Sequence, residues 1–533
     1  MGIATRALRH DQIDRHGDTM LKHVLCLVSL ILPSSLSAQD WWYGESDHFR
    51  VYSSGGEDAA RKMAVELERV DQAMRLFTGT AVDESPLPEN AKPTIFQFGE
   101  TKDIGKLIGR DGVAGFFIPR AGDSVAFVPL EQGRRSRSRS SLGARTGVDY
   151  FDFDIDPAKV LYHEYAHYFM FQHAPAAYPP WYIEGLAELF GSLKLEEKGF
   201  SLGEPPEHRK GEISIVDVDT DQIFMPNDWE TRGVRYPYYG HGWLLTSYLS
   251  FNPERQGQLP KFLRSLNAGV ETREAARDAF GDLGVLEKEL NKYRRQQARG
   301  MQAQFAELAE PAVTLRKLSP AEAARMLLYI ESTKGVDQKE AKAVVGKARA
   351  LAETYPSEPA VLRVLLEAEY DVSNLVRADA IARQLLETDY ALDANLYLAR
   401  IALRHAETDP SWLTAARRHY VAANRIENEH PEALSGYYAT FRLAGEEPPE
   451  DALLALEVAY QLAPFDQGIR KALAHLFLLE GRDEAALNVL GPILFQPHGG
   501  KSARELRELV QKFKDGERQA LIDELAPKLK DDA

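Results

Sequence analysis

Apolar residues recur at helical spacing over Val160, Leu161, Tyr165, Tyr168 and Phe169. Asp156-Pro157 just ahead of them supplies an N-cap and a first helical position, so a helix is predicted from about residue 157. Runs rich in β-branched and aromatic residues, Phe49-Arg50-Val51-Tyr52-Ser53 and Thr94-Ile95-Phe96-Gln97-Phe98, read as strands. A β-hairpin is predicted where Gly112 to Arg120 and Ser124 to Leu130 flank the turn Ala121-Gly122-Asp123. Past residue 300 almost every segment is helical. From about Ala341 onward, turn signals come at Tyr355-Pro356-Ser357, Ala391-Leu392-Asp393, His430-Pro431-Glu432, Ala463-Pro464-Phe465 and Gln496-Pro497-His498. Their spacing of about 33 to 39 residues is that of helix-turn-helix solenoids. The 533 residues therefore divide into an α+β domain over residues 39-300 and an all-α helical-repeat domain over 301-533, behind an N-terminal segment 1-38.

That segment reads as a secretory signal peptide. Met20-Leu21-Lys22-His23, the apolar run Val24 to Leu32 and the small residues ending at Ala38 give its three regions, with Met20 as a candidate true start. The apolar run is too short to span a bilayer, and no later segment is long and apolar enough to do so. The single cysteine, Cys26, falls inside the signal without the small residues that precede a lipidated cysteine, so neither disulfides nor a lipid anchor are expected. A soluble exported protein, in a Gram-negative periplasm or secreted, fits these features. The net charge of -16 disfavours nucleic acid as a partner. The basic run Arg134 to Arg139 is a local exception, read either as a solvated loop or as an anionic docking or processing site.

The candidate chemistry lies in the helix first predicted. His163-Glu164-Tyr165-Ala166-His167 is an H-E-x-x-H motif, and histidines four apart stand one turn apart on one helical face, where both reach one metal ion. Buried histidines that merely satisfy each other are the alternative. A zinc ion with three protein ligands keeps a position for water and lowers its pKa to about 7, and Glu164 is placed to take the proton. The third ligand must come from another element. Three prolines between Ala174 and Pro180 end the helix and let a second begin near Trp181, which makes Glu184 the best candidate. Glu188, one turn further on, is a candidate acceptor for the free N-H of a ligating histidine, which would fix that imidazole's tautomer.

H-E-x-x-H followed by Trp181-Tyr182-Ile183-Glu184-Gly185-Leu186-Ala187-Glu188 resembles the gluzincin metallopeptidases, and most of all the bacterial peptidase MA-like proteins of the DUF1570 type. The resemblance covers roughly residues 45 to 300. It implies a zincin-like α+β fold, one zinc held by His163, His167 and Glu184, and Glu164 as general base and later proton donor. Tyr239-Gly240-His241-Gly242-Trp243-Leu244-Leu245 is similar to a gluzincin aminopeptidase stretch whose tyrosine stabilises the tetrahedral oxyanion; that residue is Tyr239 here, with Tyr236 and Tyr238 nearby as signs of a plain tyrosine cluster. His241 is a candidate second donor or simply a hydrogen-bonded ring. No G-x-M-E-N motif precedes His163, which argues against an exopeptidase. In gluzincins an open edge strand beside the zinc helix pairs with extended peptide, and by resemblance Ser124, Val125, Ala126, Phe127 and Val128 hold substrate backbone. An ordinary hairpin with a covered edge is the other reading.

The segment from Ala459 through Pro464, Gly481 and Ala485-Ala486-Leu487 resembles a tetratricopeptide repeat. Such arrays bind a protein or peptide, or only buttress a neighbouring domain. The expectation is a zinc endopeptidase acting on peptide or protein substrates, with repeats for a partner; whether the 131-147 segment covers the cleft in a latent form stays open. The alternative is a non-catalytic periplasmic scaffold with a vestigial metallopeptidase domain. The intact Glu164 favours the enzyme, because a site that had lost its chemistry has no need of that carboxylate.

Overall fold

The computed structural model describes residues 40–81, 87–88, 91–110, 113–131, 156–224, 238–305, 310–495 and 500–529. The N-terminal segment expected to be a signal peptide, with Cys26, lies outside the described residues, as do the basic run at 134–139, Tyr236 and all but the first residue of the 131–147 segment.

Residues 40 onward begin with β1 (Trp42–Glu45) and β2 (Arg50–Ser53), then helix α1 (Glu57–Thr78), β3 (Thr94–Gln97), α2 (Thr101–Ile108), β4 (Phe116–Ile118) and β5 (Val125–Val128). Next come α3 (Pro157–His173), α4 (Pro180–Gly191), β6 (Lys194–Glu196), β7 (Gly199–Leu202), α5 (Lys210–Ile215), α6 (Thr220–Ile223) and α7 (Tyr238–Phe251). Helices α8 (Gln258–Asn267), α9 (Thr272–Phe280) and α10 (Leu283–Tyr293) lead to β8 (Met301–Gln304) and β9 (Thr314–Lys317). Thereafter the described chain is helical, in successive packed pairs from Pro320–Thr333 to Arg518–Leu525.

The main sheet has six strands in the order β4-β5-β3-β2-β1-β9, and a smaller antiparallel sheet has the order β6-β7-β8. Strands β2, β3 and β5 run parallel, while β4, β1 and β9 pair antiparallel with their neighbours. Every residue of β3 and β5 is buried, as befits parallel strands covered on both faces. Their alternation divides them between two cores. Ile95, Ala126 and Val128 face a core built with α1, α3, α4 and α7. Phe96, Val125 and Phe127 face the opposite way and pack with Leu318, Met326 and Tyr329 at the start of the helical array. The rings of Phe96 and Phe127 stack at 5.3 Å, and Tyr329 meets Phe96 edge-on at 5.4 Å.

The boundary expected after residue 300 therefore moves. Strands β8 and β9 lie beyond it and complete both sheets, and the first array helices form the second layer over the main sheet. The expected hairpin is present, with β4 and β5 antiparallel and Asp123 at φ 88° in the turn between them. Its expected role needs correcting. Residues Ser124 to Val128 are not at an edge: β5 is hydrogen-bonded on both sides, by β4 and β3, and is buried throughout. Of the two hairpin strands it is β4 that stands at a sheet edge.

The array touches the first domain again further along. The Ala121 N–H of the hairpin turn donates to the Asp466 carboxylate, and a Cβ at Gly122 would lie 2.9 Å from the His430 ring. On α3, Gln172 donates to the Leu462 carbonyl at 3.2 Å, and the Tyr168 ring packs at a tilt against that of Phe465, 5.0 Å between centroids. Four of the five expected turns fall on described residues. Those at 355, 430 and 463 sit between helices, whereas Ala391 already opens a helix because the chain turns earlier, around Thr388. No helix of the described residues is long and apolar enough to cross a membrane.

Candidate metal centre

Helix α3 forms as its sequence requires. The Asp156 side chain accepts the Ala158 N–H at its start and Pro157 takes the first position. Its inner face carries Leu161, Tyr165 and Phe169 into the core, and the Tyr165 hydroxyl donates to Asp71 of α1 at 2.7 Å. Tyr162 is tied in the same way to Glu66. These anchors fix the helix about its axis, so that His163, Glu164 and His167 fall on its half-exposed side. The Ala174–Pro179 connection reverses the chain, and α4 starts at Pro180.

Helix α4 then crosses its neighbours very closely. Gly191 faces His163, where a Cβ would meet the histidine Cβ at 3.4 Å. On its other side, a Cβ on Gly185 would stand 2.3 Å from the Gly242 carbonyl oxygen, and one on Gly242 would stand 2.4 Å from that of Trp181. Only glycine fits at that crossing. It lets α7 lie against α4 with Tyr239, in the first turn of α7, beside the histidines.

The result is a triangle of donor atoms. His163 Nε2 lies 3.2 Å from His167 Nε2 and 3.5 Å from Glu184 Oε2, and His167 Nε2 lies 3.7 Å from that same oxygen. Donors bound tetrahedrally at 2.0–2.1 Å are separated by about 3.3 Å, so the triangle already has the size of a small divalent cation's coordination face. Among the described residues it is the only group of three or more His, Cys, Asp or Glu so placed. The field there also suits a cation. Burial works against a charged His163, but the hydrogen bond and charge of Glu184, with Glu188 and Glu164 close by, outweigh it and raise the pKa to about 9.

Glu188 stands behind His163 as expected, with a difference. Its Oε1 is 3.9 Å from His163 Nδ1, beyond hydrogen-bonding distance, and its oxygens are engaged by other partners. Arg209 Nε donates to Oε1 at 2.8 Å, and His208 Nε2 lies 3.2 Å from Oε2. Burial opposes the charge on Glu188, but His208, His163 and Arg209 together hold its pKa down at about 2.

Tyr239 is brought to the site. Its ring centroid is 6.4 Å from that of His163, and the Arg209 guanidinium lies over its other neighbourhood, 4.3 Å from the ring centroid. Burial, then the charge of Glu184, keep its phenol protonated well above the ordinary range. His241 is not brought there. Its ring is buried against the Val216 carbonyl at 3.2 Å, and burial lowers its pKa to about 4; its charged neighbours are Arg294 and Asp217 rather than the triad. Two residues along a helix rotate a side chain by about 200°, which puts His241 on nearly the opposite side of α7 from Tyr239.

Arg209 and His208 escaped sequence reasoning. They follow Glu188 by some twenty residues, in the short turn Glu207–Arg209, and no spacing rule links them to it. The signal available was weaker: a carboxylate buried next to two others needs a cation to hold it. A scan against protein-family models and searches of curated proteins and of solved structures each returned no match.

Proposed function

We propose that the protein is an exported zinc metallopeptidase of the gluzincin type, acting as an endopeptidase. The observation that carries this reading is the triangle of His163, His167 and Glu184 with the Glu164 carboxylate on the same side of α3. Two imidazoles and one carboxylate at these separations form the donor set of a catalytic zinc, with a fourth position left for water or substrate. When bound, zinc supplies a Lewis acid that polarises the scissile carbonyl and acidifies water.

The chain's own groups do the remaining work. Glu164 takes the proton of the attacking water and passes it to the departing amine nitrogen. Tyr239 donates its phenol hydrogen to the oxygen on which negative charge builds. Strand β4, the edge of the sheet and packed beside α3, takes over from β5 as the strand that pairs with an extended peptide. The signal-like N-terminus supports export, and the array supports a role in presenting that edge, since it grips the hairpin turn through Asp466 and His430.

The test is Glu164→Gln in the full chain, assayed on a panel of unstructured polypeptides. Zinc content stays as in wild type while hydrolysis falls by about a thousandfold or more. Undiminished cleavage by the variant removes Glu164 from the mechanism, and a wild type that binds zinc but cleaves nothing favours a scaffold with a vestigial site.

A further inference from the structure

Arg209 belongs to no motif, yet it makes three connections at once. Its Nε donates to Glu188 Oε1 at 2.8 Å, its Nη1 donates to Glu212 Oε1 at 3.3 Å, and its Cζ sits 4.3 Å from the centre of the Tyr239 ring. The other oxygen of Glu212 accepts the Gly240 N–H at 3.0 Å, in the opening turn of α7. One guanidinium therefore joins α4, which carries Glu184 and Glu188, to the turn that carries Tyr239. The guanidinium suits this position because its edge offers a fork of donors to two carboxylates while its face stacks on an aromatic ring. A lysine offers the charge without either.

We propose that Arg209 is a positioning residue, which holds the Tyr239 ring beside the histidine and glutamate triad and so sets where its hydroxyl meets the substrate. The inference rests on the peptidase reading for its effect on turnover, but the geometry it asserts is independent of activity. Arg209 acts through Tyr239, so its loss lowers turnover without loosening the metal. Glu188 keeps His208 as a partner when Arg209 is gone, which leaves the support behind His163 in place.

The experiment compares the full chain with Arg209→Met, Arg209→Lys, Tyr239→Phe and the Arg209→Met/Tyr239→Phe pair. Bound zinc, kcat and KM on one peptide are measured, together with the fluorine resonance of a fluorotyrosine placed at position 239. Arg209→Met is expected to retain zinc, to lower kcat about tenfold or more with KM within about twofold, and to add less than about twofold to the loss in Tyr239→Phe. Arg209→Lys recovers little of that loss, and the fluorine resonance moves in both single Arg209 variants. Losses that multiply in the double variant, release of zinc from Arg209→Met, or a fluorine resonance left in place would each overturn the proposal. If wild type hydrolyses nothing, the peptidase reading fails, and the fluorine resonance alone decides whether Arg209 holds the ring.

Discussion

Behind α3, His48 is buried against two carboxylates of α1. Its Nδ1 is 2.8 Å from Glu68 and 4.0 Å from Asp71, and Asp71 in turn receives the Tyr165 hydroxyl and Arg75 Nε. Burial disfavours a charged His48, but the Glu68 hydrogen bond and the Asp71 and Glu68 charges outweigh it and raise its pKa above the ordinary 6.5. The charged pair therefore stabilises the fold fully below that ordinary value and ceases to do so as pH rises through the raised one. The melting temperature of wild type should exceed that of His48→Phe by most below pH 6.5, with the gap closing as pH rises through the raised value. A gap constant over that range would mean that His48 is neutral when folded. At this scale the sequence was informative where spacing carries chemistry: His163, His167 and Glu184 follow from i, i+4 geometry and a proline-forced reversal. It was silent on Arg209, His208 and His48, whose partners lie on other elements, and of its two readings of His241 the hydrogen-bonded ring is the one found, since positions two apart on a helix point to nearly opposite sides.

Elements meet at this site through missing side chains. The α4–α7 crossing depends on Gly185, which lies against the Gly242 carbonyl, and on Gly242, which lies against the Trp181 carbonyl. Gly185→Ala inserts a methyl group 2.3 Å from the Gly242 oxygen, which is backbone and cannot swing aside, and 2.5 Å from the Thr246 hydroxyl. The cost should be about 1–3 kcal/mol, read from urea unfolding, and the shift of α7 should carry Tyr239 off the site, lowering turnover even under conditions where the variant is folded. Wild-type stability and turnover in Gly185→Ala would refute the close crossing. The hairpin was legible from its turn residues, but which of its strands is the edge was not. Register and alternation within a hairpin do not say which strand a later-docking β3 will choose.

At the scale of the whole molecule, the main sheet is shared. One face of β3 and β5 packs on the metal-site helices and the other on the array, so neither half has a complete core alone. Thermal or denaturant unfolding should therefore be one cooperative transition seen alike by zinc release and by helix content, and residues 39–317 alone should aggregate with Phe96 and Phe127 uncovered. Separate transitions would contradict the shared layer. The helical period of the array was plain in the sequence; that its first helices close over the sheet was not, because periodicity shows an apolar face without naming what covers it.

The central claim is that His163, His167 and Glu184 hold a catalytic metal, and the most direct measurement is the metal content of the purified full chain beside His163→Ala and Glu184→Gln. About one zinc per wild-type chain, lost from both folded variants and recovered by neither on adding zinc, is the result expected. A folded wild type that takes up no zinc, or variants that keep it, would contradict the account.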